Sequence, residues 1–166
     1  NDWGTYVLEI VASTGKILFN RAFYLSKEIV LPVGKTNTKT VKNASTNNIY
    51  NWINDHRSDL SLPSIAIDND LQLFAQKYAE QMAIDDFVGH ISPTGVTFED
   101  RIKIAGFSGA FSENVAFGSN INLALSGLET SASHFSNIIN PDWTQIGIGV
   151  VQNKKGVYIA QIFVKE

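Results

Sequence analysis

The sequence predicts an α+β fold in which helices cover both faces of one sheet, with a β-hairpin placed ahead of it. Three observations carry this. Two segments rich in β-branched and aromatic residues open the chain, helical periodicity takes over from residue 49, and two apolar runs close it around Asn153-Lys154-Lys155-Gly156. With 166 residues, 44% of them hydrophobic, the chain can bury the core of one domain and a small appendage.

Tyr6 to Val11 and Ile17 to Leu25 flank Ser13-Thr14-Gly15-Lys16, as the two arms of a hairpin would. Ile29-Val30-Leu31 is a third short strand candidate. From Gly34 to Ser45 the chain is mostly Lys, Thr and Asn, with little to bury, and reads as a linker. The expected division is therefore residues 1–45 as extension and linker, and 46–166 as the main domain.

Ile49, Trp52, Ile53 and His56 then share one helical face, with Ser45 or Thr46 as the cap and Leu62-Pro63 as the stop. A second helix is expected after Asp68, where Leu71, Phe74, Ala75, Tyr78, Ala79, Met82 and Ala83 form an unbroken stripe, and it should end near Phe87. Thr97 followed by Asp100 resembles a capping box for a short helix through Ile104 that Gly106 ends. Another helix is expected from about Asn122 to Ser131. Gln145–Val151 and Val157–Val164 form the closing hairpin, in which Gly147 and Gly149 would allow strands to approach closely.

Composition excludes several function classes. A net charge of −3, a pI near 5.6 and no run of like charges leave no electrostatic footprint for nucleic acid. No apolar stretch is long enough to span a bilayer, and Asn1-Asp2-Trp3-Gly4 resembles neither a signal peptide nor a lipidation site. Zero cysteines exclude disulfides, thiolate metal ligands and cysteine nucleophiles.

Six ordered elements then resemble one family. Asn54-Asp55-His56-Arg57 with Leu62-Pro63 is followed by Gly89-His90-Ile91-Ser92-Pro93 with Gly95, and by Asp100-Arg101-Ile102 with Ala105-Gly106-Phe107. Glu113-Asn114-Val115-Ala116 with Gly118 comes next, then His134 with Asn137-Ile138-Ile139-Asn140-Pro141, and last Ile146 to Val150 with Tyr158, Gln161 and Phe163. In this order they resemble the CAP superfamily, the SCP-like domain shared by cysteine-rich secretory proteins, antigen 5 and plant pathogenesis-related 1 proteins, in its bacterial branch.

The resemblance implies a three-layer α-β-α sandwich with a cleft carrying two histidines and up to two glutamates. His90, Glu113 and His134 occupy the matching positions, with Ser92, Asn114 and Ser131 as candidate supports. The second glutamate has no counterpart: Glu129 is nearby, but Thr130 or Ser131 holds the expected position, and Leu128 stands where bacterial relatives commonly have tryptophan. Family relatives also imply an extracellular or bacterial cell-surface location. A spirochaete surface lipoprotein, trimmed past a lipid anchor upstream, would suit an Asn-, Ile- and Lys-rich chain without cysteine.

Two imidazoles and one carboxylate on separate elements are the minimum set for a divalent cation such as zinc with open positions for water. The same residues also suit a small ligand. Three roles stay open at this point: a binding module for a cation or small ligand; a hydrolase in which His90 or His134 serves as base beside Ser92 or Ser133; and a surface protein that binds a host or partner protein. The structural alternatives are a histidine bracing the Ser-Pro turn and a buried Glu113 accepting backbone N–H bonds. His56, on the apolar face of the first helix, reads as a packing residue, and Trp143 as either a rim residue or a turn anchor.

Overall fold

The computed structural model describes residues 5–11, 17–24 and 43–165, the first two stretches as strand course alone. Strands β1 (Thr5–Val11) and β2 (Ile17–Tyr24) pair antiparallel as a two-stranded sheet of their own, with an irregularity between Ile10 and Val11. The expected strand at 29–31, the hairpin turn at 13–16 and most of the expected linker lie outside the described residues.

Helix α1 (Thr46–Asp59) starts where the Ser45 hydroxyl accepts the Asn48 N–H, satisfying a donor that the first turn would leave orphaned. It stops just ahead of Leu62-Pro63, where Ser61 takes a positive φ of 56°. The two-residue β3 (Ala66–Ile67) leads to α2 (Asn69–Asp85), capped by the Asp68 carboxylate on Leu71 N at 2.7 Å and ended by Asp86 in the left-handed region. Helix α3 (Phe98–Ile104) has the full capping box of Thr97 and Asp100, and Gly106 follows it at φ 79°.

Strand β4 (Ala110–Gly118), helices α4 (Ile121–Thr130) and α5 (Ala132–Ile138), and the hairpin strands β5 (Gln145–Gln152) and β6 (Val157–Lys165) complete the chain. The main sheet has the order β3-β5-β6-β4, with β3 parallel to β5 and the other pairs antiparallel.

Strand β6 lies inside the sheet and is buried from Val157 to Val164, so neither of its faces meets water. Alternation sorts its side chains. Val157, Ile159 and Phe163 join Ile146 and Ile148 of β5 beneath α1, α4 and α5, which contribute Ile49, Trp52, Ile53, Leu125, Leu128 and Ile138. Tyr158, Ala160, Ile162 and Val164 face the other way, against Leu71, Ala75, Tyr78 and Met82 of α2 and, more peripherally, Phe98 and Ile102 of α3. The result is three layers, each large apolar side chain contributing about 1.5–3 kcal/mol on burial.

The sequence reading of Gly147 and Gly149 needs correction. Their bare Cα atoms face the helix, not a neighbouring strand: a Cβ on Gly147 would lie 2.2 Å from the Leu71 carbonyl oxygen, and one on Gly149 2.1 Å from that of Ala75. This intimacy lets two side chains of α2 reach the backbone of β5. Gln72 accepts from Ile148 N at 3.0 Å and donates to the Ile148 carbonyl, while Gln76 accepts from Val150 N at 3.1 Å. Beyond its short pairing with β3, β5 is thus hydrogen-bonded along that edge by glutamine amides.

On the opposite layer, the buried Arg57 acts as a four-way donor. Its guanidinium reaches the carbonyls of Pro63 (2.8 Å), Ile138 (3.0 Å), Asn140 (2.8 Å) and Trp143 (3.4 Å). Burial holds its pKa below the ordinary arginine value. One side chain of α1 thereby fixes the end of α5 and the turn that enters β5. Trp143 packs against the same core, its ring centroid 6.4 Å from that of Phe163, and so anchors this turn. Among the described residues no helix is long and apolar enough to cross a membrane.

Candidate functional site

His90 lies in the loop between α2 and α3, and that loop is braced from within. Ser92 is buried, its hydroxyl accepting from Val96 N at 3.1 Å and meeting Thr94 Oγ1 at 2.9 Å, while Gly95 takes φ 86°. Tyr78 of α2 donates from its hydroxyl to the Gly89 carbonyl at 2.6 Å, tying the loop to the helix. Ser92 is therefore a turn brace that sets the backbone next to His90.

Glu113 comes from β4, on the sheet face that carries α2 and α3. Its side chain is only 1% exposed, whereas that of His90 is 51% exposed, and His90 Nδ1 stands 2.9 Å from Glu113 Oε1. Arg101 of α3 supplies the opposite charge: its Nη2 donates to both oxygens of Glu113 at 2.9 Å and to the His90 carbonyl at 3.2 Å. The guanidinium carbon sits 3.2 Å from the centroid of the Tyr78 ring, and Phe98 lies 5.6 Å away on the same cation. Burial is the main cause that raises the Tyr78 pKa, opposed by the Arg101 charge and assisted by Glu113.

His134 reaches the same place from the other layer. It lies on α5, packed beside the edge strand β4, and its ring centroid is 6.4 Å from that of His90, with the planes at 41°. Its Nδ1 is buried without a hydrogen-bond partner. Burial, and next the neighbouring His90, hold its pKa below the ordinary imidazole value.

Asn114, the neighbour of Glu113, faces α5. Its amide donates to the His134 carbonyl and to Gln161 Oε1, each at 3.0 Å, and its oxygen accepts from Asn137 Nδ2 at 2.8 Å. Asn114 and Gln161 are both fully buried. Successive residues of β4 therefore hold the two imidazoles, Glu113 through the His90 ring and Asn114 through the His134 backbone.

The remaining candidates fall elsewhere. Ser131 sits at the junction of α4 and α5, with its hydroxyl 3.2 Å from that of Ser133. Glu129 faces α1, with Oε1 3.9 Å from His56 Nε2, and does not join the cleft. His56 itself is buried edge-on to Trp52 and Phe135. An open pocket of about 740 Å³ extends from His90 and Glu113 along α3, with Phe98, Ile102, Phe107 and Phe111 as its apolar wall.

Chemically, the site offers two imidazoles. Glu113 is engaged on both oxygens by Arg101, and among the described residues no group of three or more histidines and carboxylates is arranged to hold a metal ion. His90 keeps its outer nitrogen free of Glu113, which stands behind the ring as its partner, and His134 lies beside it with Nδ1 buried and unbonded. Arg101 was not singled out as a site residue from the sequence. Its only signal there was its place in the Asp100-Arg101-Ile102 element, on the capped helix between His90 and Glu113.

Three layers around a mixed sheet are the architecture of an SCP-type domain, and the comparisons agree on the fold. The family model for CAP, the cysteine-rich secretory protein family, matches residues 50–164. The chain belongs to this family.

Uncharacterized protein YkwD of Bacillus subtilis (strain 168) is 30% identical over 125 residues, covering 72% of this chain and 49% of that protein, so the chain spans about half the length of this relative. An extracellular protein containing a SCP domain from Bacillus anthracis superposes with a TM-score of 0.62 at 27% identity, over 72% of this chain and 40% of that one. An outer surface protein from Borrelia burgdorferi gives a TM-score of 0.62 at 24% identity, over 71% and 90% respectively, a likeness of fold.

Proposed function

We propose that this CAP domain is an extracytoplasmic binding module whose cleft, built on His90, Glu113 and His134, takes a divalent cation such as zinc or a small ligand through its two imidazoles. The carrying observation is the 2.9 Å bond between His90 Nδ1 and the buried Glu113, which turns the outer nitrogen of an exposed ring towards solvent beside His134. A histidine that donates one ring nitrogen to a carboxylate offers the other as a ligand or acceptor of raised basicity. A cation held there would supply Lewis acidity and a charge for an anionic ligand group.

The location outside the cytoplasm rests on the secreted and surface character that the similar proteins carry in their names. A hydrolytic role is less well supported, since the hydroxyls of Ser92 and Ser133 meet other hydroxyls.

Zinc titration calorimetry tests the cation reading. Native protein should bind, and His90→Ala and His134→Ala should each abolish the heat while backbone NMR spectra stay native-like. Heat indistinguishable from buffer in the native protein removes the cation. A peptide, ester or cell-wall substrate turned over by native protein and not by His134→Ala replaces the binding reading with a hydrolytic one.

A further inference from the structure

Arg101 does not line the open pocket beside His90 and Glu113, yet it bonds to both of these residues. Its side chain is 10% exposed, and Nη2 chelates both oxygens of a carboxylate that is 1% exposed. The Tyr78 ring under the guanidinium fixes its plane, and the bond from the same Nη2 to the His90 carbonyl ties the cation to the residue whose ring Glu113 must meet. A buried carboxylate without this partner would be driven to protonate or to turn towards water.

We infer that Arg101 is the positioning residue of the cleft: by locking Glu113 it holds His90 in the tautomer protonated at Nδ1 and keeps the carboxylate out of the ligand set. The chemistry follows from the contacts. An ionised carboxylate only accepts hydrogen bonds, so at 2.9 Å the Nδ1 of His90 must carry the proton, and the lone pair of the neutral ring then lies on Nε2. Both Glu113 oxygens are taken up on the protein side, which leaves an outward face of imidazole nitrogen. The inference rests on the proposed binding role only where a metal is concerned; the tautomer is a property of the protein alone.

Nitrogen-15 NMR of the imidazole rings at about pH 8, above the ordinary histidine pKa of about 6.5, reads this directly. The chain has three histidines, and His90→Ala assigns the signal. Native protein should show His90 protonated at Nδ1 alone. In Arg101→Gln the ring should relax to a mixture of tautomers. In Arg101→Lys, which keeps a buried cation where loss of charge would unfold the chain, the side chain is one bond shorter than the reach to Nη2 and has no planar guanidinium to stack on Tyr78, so the ammonium is not held against both oxygens and the mixture should appear as well. A native His90 protonated at Nε2, or an Nδ1-only tautomer that survives in a folded Arg101 variant, overturns the assignment.

Cobalt(II) alone, added to native protein and to Glu113→Gln, checks the second half. Visible bands of the same shape in both place the carboxylate outside the coordination shell, whereas a changed shape puts Glu113 in it and refutes that half. Absence of any cobalt(II) spectrum with native protein counts against the cation reading of the cleft, and the tautomer still decides the role of Arg101.

Discussion

The side-chain amide of Asn114 donates to the backbone carbonyl of His134 across 3.0 Å, from a position directly next to Glu113 on β4. The two imidazoles are therefore tied to opposite faces of one strand, in addition to the loop and the helix that carry them.

Asn114→Ala should be more damaging than its distance from solvent alone suggests. It leaves Gln161 Oε1, which is fully buried, and Asn137 Nδ2 and the His134 carbonyl, which are partly buried, without this partner. A loss of about 2–4 kcal/mol is expected in urea unfolding, since each stranded buried polar group costs about 1–3 kcal/mol. A midpoint unchanged from native would show that the amide network carries no stability.

Arg57→Met keeps most of the side-chain volume and removes all four donations to Pro63, Ile138, Asn140 and Trp143. Here the expected loss is about 3 kcal/mol, as several carbonyls lose a charged donor at once. Arg57→Lys should recover only part of it, because an ammonium cannot span carbonyls on several sides of a planar fork. Thermal unfolding of the two variants side by side gives the comparison.

Gly149→Ala and Gly127→Ala should move stability in opposite directions. The first drives a methyl group to 2.1 Å from the Ala75 carbonyl oxygen and forces α2 off the sheet, at a cost of about 1–3 kcal/mol or more. The second lies within α4 with nothing within 4 Å of the new methyl, and should stabilise by about 0.5–1 kcal/mol. Paired denaturation curves decide both signs.

His134 gives a pH dependence whose sign is fixed by its burial. Its folded pKa lies below the ordinary value of about 6.5, so as the pH falls through that value the unfolded chain takes up a proton that the folded chain refuses. The stability this residue contributes is complete above about pH 6.5 and declines below it until the folded pKa is passed. His134→Gln should flatten that part of the profile. Urea midpoints for both proteins between about pH 8 and pH 5 measure it, and parallel profiles would contradict the assignment.

Legibility in the sequence followed burial pattern. The stripe from Leu71 to Met82 revealed α2 because one face of a long helix meets one layer, and the apolar runs at 145–151 and 157–164 revealed the hairpin. Strand β4 escaped notice as a strand because its middle is Glu113-Asn114, two polar residues buried to build the site. Helix α5 is too short for a periodic signal, with Ala132 and Ile138 its only buried residues. His90 and Glu113 are 23 positions apart, so no local spacing joins them. Only the order of motifs pointed to one cleft, and Arg101, a charged residue in a short capped helix, looked like any solvated arginine until its carboxylate and ring were seen.

The glutamines of α2 have a bearing on how copies of this protein behave in crowded solution. A strand edge with free N–H and C=O groups is a template on which another chain can add by backbone pairing. Gln72 and Gln76 occupy the N–H and C=O of Ile148 and the N–H of Val150 on β5, so these groups are taken before a visiting strand could pair with them. Past the short β3 pairing, two uncharged side chains thereby cover backbone groups of β5 that would otherwise stand open. A double change to alanine would leave most of the fold in place and reopen the edge, which would surface as self-association rising with concentration.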